Sequence, residues 1–310
     1  MLPAERPAVR WAFLYFFALL SSYYILRPLR DEMGIVGGVK NLPWLFTGTF
    51  VVMLLAVPFY SAVVARFPRR KIIPVVHRFC SLNLLAFLFL DRAAISEVWV
   101  ARVFFVWVSV FSLFVVSIFW SFMVDTFRPE QGKRLFGAIA AGGSLGAIAG
   151  PFLAVLLVKP FGRAGLYVAC ALLLEAAVYC VRRLIAWAAT HEAGAVGTLP
   201  DRAVGGGIFA GFRLALTSPY LLAVVFMMLA YTITSTVIYA DQARIVGATI
   251  QDSSVRTSLF ATIDLWVNVV ALLAQSDQQE QAIAAVERAP VEARVGLQGV
   301  PLDGLHPLPS

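Results

Sequence analysis

The sequence predicts an all-α polytopic membrane protein, and three observations carry that prediction. Of its 310 residues, 60% are hydrophobic and only 14% are charged, where soluble domains run about 45–50% apolar and about 25% charged. The apolar residues gather into runs of membrane-crossing length, about 20 residues. Lys and Arg collect at the ends of those runs, where they set topology and meet anionic lipid. Disordered and disulfide-rich secreted classes are excluded, because the chain holds 24 Phe, 9 Tyr and 7 Trp but three cysteines. Barrel strands alternate over about ten residues. These runs are uniformly apolar, which leaves the helix as the element that satisfies its own backbone in lipid.

Eight stretches qualify in chain order. The first is 11–26, continuing toward Arg30. Residues 1–10 lead into it without a small-residue cleavage site, so it reads as a membrane helix and not a cleaved signal. The second lies within 41–65 and carries no charge. The third, 72–90, has His77 and Arg78 near its start. The fourth, 103–124, is uncharged, as is the glycine-rich fifth, 135–158. The sixth, 164–181, contains Glu175. The seventh is 214–240, and the eighth, 257–275, contains Asp264.

Their spacing implies an N-terminal six-helix bundle over 1–181 and a cytoplasmic linker over 182–213 with the run Gly205-Gly206-Gly207. The first two helices of a second bundle would occupy 214–275, and a polar disordered tail 276–310. Six helices, a longer polar linker and further helices is a two-bundle carrier layout, for which twelve helices are expected and about eight are present. A tail holding Pro290, Pro301, Pro307 and Pro309 fits a truncated or frame-shifted product, or a disordered cytoplasmic segment. With the N-terminus in the cytoplasm, fourteen Lys and Arg fall on inside segments and nine on outside ones. That places the chain as a multi-pass inner-membrane protein.

The net charge of +7 would suggest nucleic acid in a soluble protein, but here it caps apolar runs, so no nucleic-acid partner is expected. The lipid bilayer is the expected partner; oligomeric state is left open. Cys80, Cys170 and Cys180 lie in apolar runs and read as small hydrophobes. The three His form no metal-spaced pair, and no phosphate-cradling loop, nucleophile elbow or dinucleotide fingerprint is present. No cofactor, metal or enzymatic activity is expected.

Four groups of residues carry the functional expectation. Arg27 and Arg30 sit three apart at the end of the first span, on one helical face, beside Tyr24, Pro28, Asp31 and Glu32. Two guanidinium groups at a cavity mouth suit a phosphate or carboxylate; equally, Asp31 and Glu32 neutralise them at headgroup depth. Arg27, Arg30, Asp31 and Tyr24 are therefore candidate substrate-binding residues. Glu175, Asp264 and Asp125 are candidate coupling acids, since carboxylates in spans need a cavity, a partner or a proton. Arg78 or His77 would be the partner for Glu175, and Arg128, Lys133 or Arg134 for Asp125. Gly142, Gly146 and Gly150 recur at four-residue spacing, which lets helix backbones approach closely. Arg66, Arg69, Arg70, Lys133 and Arg134 mark cytoplasmic loops.

The segment around Arg66, Arg69 and Arg70 resembles the loop signature of the major facilitator superfamily, with Ser61, Ala65 and Pro68 departing from it. Arg27-Pro28-Leu29-Arg30-Asp31, the stretch 119–125 and the stretch 130–137 ahead of the glycine-rich span resemble bacterial ATP/ADP translocases, over roughly 8–275. That resemblance implies a major facilitator-type fold of about twelve helices in two bundles and alternating-access exchange of an anionic solute such as a nucleotide. It also implies that Arg30, at the position of a nucleotide-binding lysine, contacts the solute, with Arg27 and Asp31 matching neighbouring motif positions and Pro28 replacing an acid. The competing reading is a truncated, non-transporting remnant or membrane scaffold.

Overall fold

The computed structural model describes residues 5–66, 69–93, 96–191 and 217–288. Side chains of 59–66, 69–71, 191 and 276–288 lie outside that description. The described elements are all helical: α1 (Arg6–Val36), a 3-10 turn (Val39–Asn41), α2 (Leu42–Arg66), α3 (Arg69–Arg92), α4 (Glu97–Thr126), α5 (Pro129–His191), α6 (Pro219–Thr249) and α7 (Ser253–Arg288). Seven of these are long and apolar enough to cross a membrane. The chain divides into two compact units, Met1–Leu265 and Trp266–Ser310. The second contributes the remainder of α7 to the described residues.

The fifth and sixth predicted stretches are two helical limbs, joined at a non-helical break inside the segment α5. The break is Gly162, whose φ of 59° and ψ of −155° are accessible to glycine and costly for a side chain. Contacts with α1 show that the limbs run in opposite directions. Gly142 lies against Phe13, Gly146 against Phe17 and Gly150 against Ser21, so the first limb is parallel to α1. Arg163 meets Glu32, Cys170 meets Ser22 and Tyr179 meets Trp11, so the second limb returns antiparallel. At about 1.5 Å per residue, the 63 residues of α5 are about three times the ~30 Å hydrocarbon core, and the reversal lets each limb cross once.

α1 is the axis of the first unit. It packs chiefly against α5, then α4, and touches α6 near its C-terminal end. A ring stack of Phe16 on Phe119, 4.0 Å between centroids, joins it to α4. The glycine stripe explains the α5 contact. A Cβ at Gly146 would lie 2.6 Å from the Phe17 carbonyl oxygen, and one at Gly150 would lie 2.7 Å from that of Ser21. Only hydrogen fits between these backbones.

Three elements differ in their bounds from the sequence reading. α1 starts at Arg6 and runs to Val36, well past the 11–26 stretch, because its terminal charges find partners inside the bundle. Residues 182–191, assigned to the linker, continue α5; 192–216 lie outside the described residues. Residues 276–288, assigned to a disordered tail, continue α7, where Gln, Glu and Ala favour the helix. The remainder of that tail, 289–310, is outside the described residues.

Candidate functional site

The C-terminal turns of α1 carry charge into the bundle. Pro28 lacks an N–H, so α1 leaves the Tyr24 carbonyl without its usual helical donor. Around this point four guanidinium groups face four carboxylates. Arg27 Nε lies 3.6 Å from Asp264 Oδ2 on α7, and its guanidinium lies 5.8 Å from the Tyr24 ring. Arg30 donates through Nε (3.1 Å) and Nη2 (2.8 Å) to Asp31 Oδ1, over the Phe105 ring at 5.3 Å. The Tyr239 hydroxyl of α6 donates to the same Asp31 oxygen at 3.0 Å.

One turn on, Glu32 is fully buried, and its Oε1 accepts from two arginines: Arg256 Nη2 at 2.9 Å and Arg163 Nη2 at 3.2 Å. Arg163 also donates to Glu97 (2.8 Å) and to the Ser253 hydroxyl (3.0 Å). Arg256 donates to the carbonyl of Ile250 at 3.2 Å. Four elements thus converge on one end of α1: the start of α4, the α5 reversal, the end of α6 and the start of α7. Glu32 Oε2 and Arg256 Nε are buried without a hydrogen-bond partner among the described residues. The cluster is incompletely bonded.

The structure brings Arg27, Arg30, Asp31, Tyr24 and Asp264 together. It does not leave the two arginines open: each already holds a carboxylate. Arg27 has the longer pair and the more exposed side chain, 36% against 19% for Arg30, so Arg27 is the more available to a solute. Glu175 belongs elsewhere. It is exposed on the second limb of α5, with Arg78 Nε at 3.7 Å. Asp125 is exposed in the last turn of α4. Arg134 turns to Glu5, donating at 3.0 Å, with Gln131 on the same oxygen at 3.1 Å; this pins the opposite end of α1 to α5. Lys133 is exposed beside it. Arg66, Arg69 and Arg70 stand at the ends of α2 and α3, and their side chains lie outside the described residues.

Sequence reading missed Arg163, Arg256 and Tyr239 as site residues. Single polar groups at the ends of apolar runs were the available signal, but partners 131 and 224 residues apart cannot be matched from one sequence. It also missed the buried Tyr15–His77 contact. His77 Nδ1 lies 2.7 Å from the Ile73 carbonyl, which can only accept, so Nδ1 carries the proton. The Tyr15 hydroxyl then donates to Nε2 at 3.3 Å.

Comparison with known proteins finds no matching family model, no matching curated protein and no matching solved structure.

Proposed function

We propose that this chain is a membrane solute carrier that works by alternating access and takes an anionic solute, with a nucleotide as the leading candidate class. The carrying observation is the cluster around Glu32. Charges buried among apolar helices are costly unless they pair, line a pathway or form a moving contact. Here ion pairs join α1, α4 and α5 to α7, and the Tyr239 hydroxyl hydrogen-bonds α6 to Asp31; such contacts exchange partners without breaking covalent or backbone bonds. The unbonded Glu32 Oε2 and Arg256 Nε suit a contact that opens, since a fully satisfied network would be more rigid.

In this reading Glu32, Arg163 and Arg256 hold the α1 C-terminal end closed. The positive-inside pattern makes that end the outer face of a bacterial inner membrane, with the N-terminus cytoplasmic. An entering phosphate or carboxylate displaces Asp264 from Arg27 and takes the planar guanidinium fork. The released Asp264 is the coupling candidate best placed for this exchange. The motif resemblance of Arg27-Pro28-Leu29-Arg30-Asp31 to ATP/ADP translocases is the reason for putting a nucleotide first among such cargoes.

Uptake of labelled nucleotides and of other organic anions into proteoliposomes tests the proposal. Saturable uptake that falls at least tenfold in Arg27→Ala and Arg30→Ala is the expected result. Normal uptake in both variants removes the anion site. A stably inserted chain that moves none of these solutes favours the scaffold reading.

A further inference from the structure

A second site lies apart from the charge cluster, between α2 and α4. A cavity of about 670 Å³ opens there, within the roughly 300–1,000 Å³ range of ligand sites. Its wall on α2 follows Trp44, Gly48 and Val52, and its wall on α4 follows Trp99, Arg102 and Val110. These spacings keep each set on one helical face. Nothing lies within 4 Å of where a Cβ on Gly48 would stand, so that glycine widens the groove instead of serving a helix contact.

The groove is polarised along its length. Its polar groups, Asn41 and Arg102, are at one end; the rest of its lining is apolar. Trp44 and Trp99 flank the polar end and are 75% and 62% exposed, as aromatic side chains at a membrane interface are. From Trp44 to Val52 the groove runs about 12 Å, and from Trp99 to Val110 about 16 Å, at about 1.5 Å per residue. That depth is about half of the ~30 Å hydrocarbon core, which is one leaflet. A packed helix about 10 Å across would need roughly 900 Å³ over even the shorter length, more than the groove provides.

Charge then selects the headgroup. Arg27, Arg30, Arg163 and Arg256 each have a carboxylate partner, and the nearby Glu97 is held by Arg163. Arg102 has no carboxylate within ion-pair distance among the described residues. Its Nε donates to the Gly37 carbonyl at 3.0 Å, and its guanidinium rests 4.9 Å from the centre of the Trp99 ring. The fork is thereby positioned while its terminal nitrogens stay available to an anion. Lys40, exposed in the adjoining turn, adds a second cation.

We infer that the α2–α4 groove is a binding site for an anionic phospholipid of the surrounding leaflet, one acyl chain lying along Gly48 and the phosphate held by Arg102. The inference does not depend on what the chain transports.

The test uses the full chain, delipidated in detergent and titrated with phosphatidylglycerol or phosphatidylcholine, with bound lipid counted by native mass spectrometry. Wild type is expected to retain phosphatidylglycerol in preference. Arg102→Gln is expected to lose about tenfold in that affinity, the scale of a charge-assisted hydrogen bond, while Arg102→Lys keeps part of the preference. Gly48→Leu, whose Cβ would enter open space, puts a side chain into the groove and is expected to lower binding of both lipids. Equal binding of the two lipids by wild type, or unchanged preference in Arg102→Gln with monodisperse elution retained, overturns the site. Competition by inorganic phosphate at the same affinity also overturns it, since that would mark a free-anion site. Occupation of the groove by a second copy, seen as a Gly48→Cys cross-link that excludes lipid, does the same.

Discussion

α1 and α6 have the same length, 31 residues each, yet their surroundings are opposite. Of the most apolar stretch of α1, 56% is buried inside the protein; of that of α6, none is. α6 is the more apolar of the two. In water the order would be reversed, because burial follows hydrophobicity. In lipid an apolar helix gains little by hiding, whereas polar groups, close backbone contacts and hydrogen bonds gain by meeting. α1 carries Ser21, Ser22, Asp31 and Glu32, all buried, and faces the glycines of α5. α6 is held near its C-terminal end, through Tyr239 on Asp31 and Gly247 against Ile35. The bundle is organised by its polar minority.

That comparison breaks most decisively at Glu32. Replacing it with Ala leaves Arg163 and Arg256 without their shared buried carboxylate. The expected loss is about 3–5 kcal/mol, the usual result of removing one partner of a buried ion pair. Thermal unfolding in detergent measures it. A double variant, Glu32→Gln with Arg256→Gln, is expected to recover part of the loss, because it removes an unpaired charge. No recovery would mean that the carboxylate acts through packing alone.

The glycine stripe comes next. Gly146→Ala places a methyl 2.6 Å from a backbone carbonyl of α1, so a helix must move. Overpacking of this kind costs about 1–3 kcal/mol. Gly48→Ala, where a Cβ meets open space, is the matched control and is expected to be neutral or slightly stabilising, since glycine weakens helices. Equal effects at the two positions would show that intrinsic helix propensity, not the α1 contact, governs the stripe.

Much of this was legible in the sequence, and the unread part has a common cause. Apolar run lengths locate α2, α3, α4 and α6, and the clustering of Arg27, Arg30 and Asp31 marks the charged end of α1. Four-residue glycine spacing singles out Gly142, Gly146 and Gly150. What one sequence does not carry is which helix faces which. In the sequence Glu32 stands beside Arg27 and Arg30, but in the fold it turns to Arg163 and Arg256. Glu175 does meet Arg78, one of its two expected partners, but nothing in the sequence places that pair outside the cluster. The break between the fifth and sixth spans, by contrast, is legible in the Lys159-Pro160-Phe161-Gly162 string, and the chain turns back there at Gly162.

A smaller effect sharpens the contact between the two helices. Tyr239→Phe removes a single hydroxyl that donates to Asp31, which keeps Arg30. About 1 kcal/mol is expected, the net worth of one hydrogen bond. If the proposed carrier cycle is right, the same variant shifts the balance of open and closed forms more than it shifts unfolding. Accessibility of a cysteine placed at Ser253 reports the first quantity, and the thermal midpoint the second.

The smallest effect is also the most diagnostic of solvent. Phe226 on α6 is 74% exposed, and Phe119 on α4 is fully buried against α1. Truncating Phe119 to Ala leaves a cavity and is expected to cost about 3–5 kcal/mol. Truncating Phe226 to Ala exchanges a ring for acyl chain in folded and unfolded membrane states alike. Its effect should therefore stay within about 0.5 kcal/mol, as at surface positions generally. Unfolding in lipid bicelles compares the two variants directly. A loss at Phe226 approaching that at Phe119 would mean that a protein surface, and not lipid, covers α6 in the bilayer, and the contrast between the two helices would then describe an incomplete assembly.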